Sequence, residues 1–318
     1  MASATTSVAA VLTGLSGSDF LSSADTTAQQ TAALLQLATQ LKRGERRIDL
    51  GNRVLGLIFT KASTRTRVSF QVAMARLGGQ TVDLNPQLTQ LGRGEPLEDT
   101  ARVLSRFCDV LAIRTFAQQE LADYAHWASI PVINALTDLE HPCQALADFL
   151  TMQEAFGDLQ GQTLAYVGDG NNVAHSLMLC GALLGVNVRI GCPEGFEPLP
   201  GVVDQARALS VEGAQISVIT DPVEAVRGAQ ALYTDVWASM GQEQEQAERE
   251  RAFQGFCLNE DLLAEADSRA IVLHCLPAHR GEEISAGVME GPSSRIFDQA
   301  ENRLHAQQAL LAALLGGL

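Results

Sequence analysis

Short apolar runs alternate along this chain with stretches whose apolar residues recur at helical spacing. Strands are predicted at 54–59, 81–84, 110–113, 130–134, 164–167, 186–190, 216–219, 231–234 and 271–274. Helices are predicted over 26–42, 68–77, 97–107, 145–156, 173–184, 242–254 and 300–315, the first of them capped by Asp25 or Thr26. The alternation of strands with helices along the chain implies mostly parallel sheets with helices on both faces.

The alternation pauses once, at the polar turn 157–161, and then restarts. A chain of 318 residues is long enough for two domains of ordinary size. We therefore predict an α/β protein of two doubly wound domains, 1–150 and 151–299, the first closed by a C-terminal helix at 300–318. Because parallel sheets bind ligands at the carboxyl ends of their strands, the active site is expected in a cleft between the two domains.

Charge and cysteine usage exclude several classes of partner. The formal net charge of −15 argues against nucleic acid and against anionic membrane surfaces. The six cysteines are scattered, with no C-x-x-C pair, which predicts reduced thiols in the cytoplasm and no zinc or other metal site. No apolar run approaches the length of a transmembrane helix.

The segment 61–67, Lys-Ala-Ser-Thr-Arg-Thr-Arg, joins the first predicted strand to the next helix. Ser63 and Thr64 fall at the helix N-terminus, where backbone N–H groups and the positive end of the dipole attract anions, and Arg65 adds a guanidinium. The segment is therefore a candidate phosphate pocket. A plain helix cap flanked by surface arginines is the alternative, because Ser and Thr cap helices routinely.

Further polar residues follow the ends of other predicted strands. They are Arg114, His141 with Gln144, Asn171 with Asn172, Asp235, and His274 with Cys275. Singly, His141 is more often a structural histidine and Cys275 a core thiol. A single ligand-binding cleft would account for all of these residues together.

Gly168-x-Gly170 permits a dinucleotide-binding interpretation. The third glycine of that motif is replaced by Val173, and no acidic residue ends the following strand. A nicotinamide-dependent dehydrogenase is thus a weak alternative.

Five motifs, in order, resemble those of the aspartate/ornithine carbamoyltransferase family, and within it the ornithine branch. They are Ser-Thr-Arg-Thr-Arg at 63–67, His-Pro-Cys-Gln at 141–144, Asp-Val-Trp-Ala-Ser-Met-Gly at 235–241, His-Cys-Leu-Pro at 274–277, and the tail 297–307. The resemblance runs from about residue 20 to 307. It implies transfer of a carbamoyl group from carbamoyl phosphate to L-ornithine, in arginine metabolism, without metal or organic cofactor.

The resemblance also implies roles for individual residues. Those expected to hold carbamoyl phosphate are Ser63, Thr64, Arg65, Thr66, Gln90, Arg114, His141, Gln144, Cys275, Leu276 and Arg303. Those expected to hold ornithine are Asn171, Asp235, Ser239 and Met240. Arg65, Arg114, His141 and Cys275 are the expected catalytic residues.

The match at Gln90 implies a homotrimer, because this residue reaches a neighbouring subunit's site in the family. Two alternatives to the ornithine reaction stay open from the sequence. One is a related enzyme acting on putrescine or an acetylated ornithine. The other is an inactive homologue, which is disfavoured because Arg65, His141, Asp235 and Cys275 are all present.

Overall fold

A computed structural model describes residues 7–85, 94–238 and 246–318 of the chain. The chain divides into two compact units, one of Met1–Ala147 with Asn302–Leu318 and the other of Asp148–Glu301. Each unit is built on one sheet. Both sheets are parallel throughout the described pairs, as the alternation of strands and helices predicts.

The first unit contains a four-stranded sheet in the order β2-β1-β3-β4. Its strands are β1 (Val54–Phe59), β2 (Gln80–Leu84), β3 (Val110–Arg114) and β4 (Val132–Leu136). The helices are α1 (Val8–Leu12), α2 (Ala28–Lys42), α3 (Arg65–Arg76), α4 (Leu97–Leu104), α5 (Gln118–Trp127), the first residues of α6 (Pro142–Phe156), and most of α13 (Ile296–Leu314). β1 is apolar on both faces because helices cover both sides of the sheet.

The second unit contains a five-stranded sheet in the order β7-β6-β5-β8-β9. Its strands are β5 (Thr163–Val167), β6 (Asn187–Gly191), β7 (Ile216–Ile219), β8 (Ala231–Thr234) and β9 (Ile271–His274). The helices that lie wholly within it are α7 (Asn172–Leu183), α8 (Pro200–Leu209), α9 (Pro222–Val226), α10 (Gln246–Ala252), α11 (Glu260–Ala264) and α12 (Ala286–Met289).

Strand register brings the polar residues of each unit to one edge of its sheet. In the first unit Phe59, the last residue of β1, pairs with Arg114, the last residue of β3. In the second, Thr234 at the end of β8 pairs with His274 at the end of β9. The segments that follow these strands therefore start side by side.

Several helix bounds differ from the sequence prediction, among them those of α3, α4, α6 and α13, and the start of α2 has a clear physical reason. α2 is capped by Thr27 rather than by Asp25 or Thr26, because Thr27 and Gln30 exchange side-chain and backbone hydrogen bonds in a capping box. Asp25 instead accepts the amides of Leu21 and Ser22. The helix predicted over 242–254 is described only as α10, since 239–245 lie outside the described residues.

Helix α3 ends where the glycines predict. Gly78 has φ +77°, a left-handed conformation that suits a residue without Cβ at a helix end. Gly79 has no room for a Cβ, which would lie 2.8 Å from the carbonyl oxygen of Arg53. Within the described part of the chain, no helix is both long and apolar enough to cross a bilayer.

Candidate active site

The phosphate pocket predicted at 61–67 lies where β1 runs into α3. Thr64 is the N-cap residue of α3, yet its side chain makes no capping hydrogen bond. The helix-cap alternative is therefore not the geometry seen, because a capping Ser or Thr accepts a backbone N–H. The N-terminal turn of α3, which carries Arg65 and Thr66, keeps its positive character for a ligand.

Two arginines near this turn, Arg67 on α3 and Arg303 on α13, have different surroundings. Arg67 pairs with Asp83 on β2 and lies over the ring of Phe59, 4.8 Å from its centroid. It is therefore occupied within the fold. Arg303, from α13, is buried and its Nη2 donates to Thr66 Oγ1 at 2.5 Å. Helix α13 thus places a guanidinium at the N-terminus of α3.

His141 lies just before α6 and is only 4% exposed. Burial lowers its pKa well below the usual value of 6.5, and the nearby positive charges of Arg303, Arg114 and Arg65 lower it further. Three predicted site arginines therefore surround one imidazole. Gln144, about one helical turn further along, is also buried, and its backbone N–H donates to the backbone carbonyl of His141 at 3.0 Å. The site offers a neutral imidazole beside concentrated positive charge.

In the second unit, Asp235 connects two other predicted site residues. The Cys275 thiol donates to Asp235 Oδ1 at 2.9 Å, and Asn171 Nδ2 donates to Asp235 Oδ2 at 3.1 Å. Oδ1 also accepts the amide of Val236 at 2.8 Å. Asn171 is the N-cap of α7 and accepts from two amides of its first turn. Residues from the ends of β5, β8 and β9 thus form one polar cluster.

Sequence reasoning missed two members of this surrounding. Tyr166 points its hydroxyl at Asn171 Oδ1, 3.4 Å away, although it reads as an ordinary apolar position of β5. Arg249 is buried, donates to Asp169 Oδ2 at 2.8 Å, and donates to the carbonyl of Trp237 at 2.7 Å. It therefore links the turn after β5 to the segment after β8. Within a polar, glutamate-rich helix, nothing in the sequence marks this arginine as buried.

The glycines of the turn after β5 are explained by the protein's own packing. A Cβ on Gly170 would lie 2.2 Å from the backbone nitrogen of Pro198, and the Gly170 amide already donates to the carbonyl of Phe196 at 2.8 Å. A pyrophosphate would need that close approach and that donor. The dinucleotide alternative loses its structural basis here.

Two groups of side chains among the described residues have metal-ligand spacing. They are Asp235, His274 and Cys275, and His279, Glu282 and Glu283. In the first group both ring nitrogens of His274 are committed, Nδ1 to the amide of Leu276 and Nε2 to Glu283. That imidazole could bind a metal only by giving up one of these bonds.

Three predicted site residues, Gln90, Ser239 and Met240, lie outside the described residues. Leu276 is described, and it has a left-handed backbone with φ +60°. Ser63 is half-buried and Thr64 is exposed at the start of α3.

Family comparisons cover both units. Residues 18–154 match the model of the aspartate/ornithine carbamoyltransferase carbamoyl-P binding domain, and residues 160–314 match that of the Asp/Orn binding domain. The chain belongs to the aspartate/ornithine carbamoyltransferase family. This confirms the resemblance seen in the five sequence motifs.

Individual relatives of this family are similar over nearly the full chain. An ornithine carbamoyltransferase of Prochlorococcus marinus (strain MIT 9313) is 85% identical over 311 residues, 98% of each chain. That of Parasynechococcus marenigrum (strain WH8102) is 81% identical over 318 residues, 100% of each. Among solved structures, ornithine carbamoyltransferase from Pyrococcus furiosus has a TM-score of 0.91 at 48% identity, covering 96% of this chain and 99% of its own. The crystal structure from Gloeobacter violaceus has a TM-score of 0.86 at 58% identity, covering 93% and 98%.

Proposed function

We propose that this chain transfers the carbamoyl group of carbamoyl phosphate to the δ-amine of L-ornithine, giving L-citrulline and phosphate. The observation that carries the proposal is the full-length identity of 81–85% to proteins named ornithine carbamoyltransferase. The arginines near His141 supply the positive charge that a phosphate needs, and the cluster around Asp235 supplies polar groups that can bind an amino acid.

The phosphate of carbamoyl phosphate binds at the start of α3. Ser63, Thr64 and Thr66 offer hydroxyl and backbone donors, and Arg65, Arg114 and Arg303 supply positive charge. The uncapped N-terminus of α3 and the contact between Arg303 and Thr66 support this assignment. The same charges stabilise phosphate as the leaving group.

The carbamoyl group is held by neutral donors and an acceptor. His141 donates an N–H to the carbamoyl oxygen, because its lowered pKa keeps the imidazole neutral near pH 7. Gln144 binds the carbamoyl amide, and the backbone carbonyl of Leu276 accepts from its NH2. As the amine attacks, His141 and Arg65 stabilise the oxyanion that develops on the carbamoyl oxygen.

Ornithine binds at the second sheet. Asn171 and Asp235, with Ser239 and Met240 beyond the described residues, hold its α-amino and carboxylate groups. Cys275 lies beside the δ-amine. Since the Cys275 thiol donates to Asp235, the thiol and carboxylate together form an acceptor surface for amine protons.

Attack requires the neutral form of the δ-amine. An amine of lysine type has a pKa near 10.4, so only about one molecule in a thousand is neutral near pH 7.4. The site must select that form or accept its proton. Holding the two substrates in a reactive orientation can lower the activation barrier by about 7–11 kcal/mol. That the two binding sites meet in one cleft stays a prediction.

The direct test measures the carbamoylated product and phosphate formed from carbamoyl phosphate with each of a panel of acceptors; the product is citrulline when the acceptor is ornithine. The panel contains L-ornithine, putrescine, N-acetylornithine and L-aspartate at equal concentrations. The proposal expects ornithine to give the highest kcat/KM. A preference for putrescine or acetylornithine would reassign the acceptor, and phosphate release without any carbamoylated amine would refute the transferase.

We further propose that the enzyme works as a homotrimer in the cytoplasm, in arginine biosynthesis, with Gln90 completing a neighbouring subunit's site. Exposed apolar side chains on α3 and β2, Val68, Val72 and Val82, support an interface in the first unit. Six cysteines without disulfides support a reducing compartment.

Complementation tests the shared site. Inactive Gln90→Ala and Arg65→Ala proteins, mixed after mild dissociation, should recover part of the wild-type activity through hybrid sites. Each variant refolded alone serves as the control. Sedimentation of a fully active monomer would contradict the trimer.

A further inference from the structure

A buried chain of hydrogen bonds lies behind the loop that follows β9. The side chains of His274 and Glu283 are both 0% exposed, and His274 Nε2 lies 3.1 Å from Glu283 Oε1. The same oxygen accepts the backbone amide of His279 at 2.5 Å. One carboxylate oxygen therefore fastens both ends of the segment between residues 274 and 279.

The other ring nitrogen of His274 determines how the imidazole is protonated. Leu276 N–H donates to His274 Nδ1 at 2.8 Å, so Nδ1 must carry a lone pair. The ring proton is then on Nε2, where it donates to Glu283. A proton at Nδ1 would place two donors face to face. Glu283 thus selects the tautomer that the Leu276 amide requires.

The backbone at Leu276 needs such support. Its φ of +60° is left-handed, a conformation that is unfavourable for a residue with a Cβ. Leu276 precedes Pro277, which has no N–H, so the amide of Leu276 is a principal donor at this corner. A fixed amide at Leu276 holds the Cys275–Leu276 peptide in place between the Cys275 side chain and the Leu276 carbonyl.

We propose that Glu283 is a positioning residue: through His274 it fixes the backbone of Leu276, so that the Leu276 carbonyl can accept from the carbamoyl NH2. This inference rests on the proposed function, which assigns that carbonyl to carbamoyl phosphate. Glu283 itself touches neither substrate. Its effect is transmitted through two hydrogen bonds, from Glu283 to the imidazole and from the imidazole to the amide.

A series of substitutions distinguishes the hydrogen-bond acceptor of Glu283 from its negative charge. Glu283→Gln keeps an oxygen of the same shape at Oε1. Among the described residues Oε2 has no hydrogen-bond partner, and it lies 3.9 Å from His279 Nδ1. Glu283→Ala removes the acceptor of both His274 and His279. Glu282→Ala is the matched control, because this neighbouring glutamate is 43% exposed and its carboxylate lies 3.5 Å from Nδ1 of the half-exposed His279.

The measurement is steady-state kinetics with each substrate limiting. Glu283→Ala should lower kcat/KM for carbamoyl phosphate at least tenfold and change the KM for ornithine less than threefold. Glu283→Gln and Glu282→Ala should stay within threefold of wild type. A folded Glu283→Ala enzyme with wild-type kinetics would overturn the proposal, as would a Glu283→Gln enzyme as impaired as Glu283→Ala. Should Glu283→Ala fail to fold, His274→Gln, which removes the Nδ1 acceptor, should show the same kinetic loss, and wild-type kinetics in it would overturn the proposal.

A second readout does not depend on activity. Nitrogen NMR of ring-labelled histidine in the ligand-free wild type should show His274 with a protonated Nε2 and an unprotonated Nδ1. If that signature is present while the wild type forms no citrulline, the proposed function fails and the hydrogen-bonded chain stands. A protonated Nδ1 would overturn the chain itself.

Discussion

The buried imidazole of His141 makes the stability of the first unit depend on pH. In the unfolded chain a histidine titrates near pH 6.5. In the folded unit, burial and the neighbouring arginines hold the pKa of His141 well below that value. Below pH 6.5 the unfolded state therefore binds a proton that the folded state refuses. Stability contributed by the neutral imidazole is complete above pH 6.5 and is lost as the pH falls.

The size of the effect follows from proton linkage. If the folded unit binds no proton at His141 down to pH 5.0, the free energy of unfolding falls by about 2 kcal/mol between pH 7.5 and pH 5.0. The limiting slope is about 1.4 kcal/mol per pH unit. This is a large share of the stability of an ordinary domain, which is about 5–15 kcal/mol.

Urea unfolding of wild type and His141→Gln at several pH values measures this effect. The chain has two tryptophans, one in each unit, so a Trp237→Phe background leaves Trp127 on α5 as the reporter of the first unit. Loss of contacts in His141→Gln lowers stability equally at all pH values and cancels in the comparison. The wild type should lose about 2 kcal/mol more than the variant between pH 7.5 and 5.0. Parallel curves would refute the reasoning.

Three further predictions concern single side chains. Arg65→Ala should reduce kcat/KM for carbamoyl phosphate tenfold or more, since a charge-assisted hydrogen bond is worth about 1.5–3 kcal/mol; unchanged kinetics at limiting carbamoyl phosphate would remove Arg65 from the pocket. Cys275→Ala should lower kcat far more than it lowers the affinity for carbamoyl phosphate. In the wild type, kcat/KM for ornithine should rise about tenfold per pH unit below neutrality, because only the neutral amine reacts. A kcat/KM that stays constant from pH 6 to 8.5 would contradict dependence on the neutral amine. Arg249→Met should destabilise the second unit by about 3 kcal/mol, because the buried Asp169 loses its ion pair with Arg249; urea unfolding should show partial recovery when Asp169→Asn is added, and no recovery would count against the ion pair.

The strands were predictable because a buried strand appears in the sequence as a short run of apolar residues. β1, β7, β8 and β9 have the bounds predicted from their apolar runs. β1, β8 and β9 are almost entirely buried, and such strands have few polar interruptions, whereas β7 lies at the sheet edge and is largely half-buried. Helices with mixed faces were harder. α5 and α8 were not predicted: α5 carries polar residues throughout, and α8 begins at Pro200 after an irregular, glycine-containing stretch.

The polar contacts of the site were predictable only in part. Strand ends in parallel sheets converge, so Asp235 and Cys275 could be expected near each other, and they are hydrogen-bonded. Arg249 and Asp169 are 80 residues apart, and no local pattern distinguishes this arginine from the exposed Arg251 on the same helix. The same holds for the link between His274 and Glu283, which depends on how the loop after β9 folds back.

The surroundings of His141 also determine what happens when an anion binds. The chain carries a net charge of −15, so capture of a phosphate depends on the local arginines acting against the overall field. Two causes lower the pKa of His141, burial first and the arginines second. A bound phosphate would offset the arginine contribution and leave the contribution of burial, the largest single cause, in place. If the predicted phosphate site is loaded, we therefore expect His141 to remain a neutral N–H donor, so that the arginine charge acts on the phosphate and not against a charged imidazole.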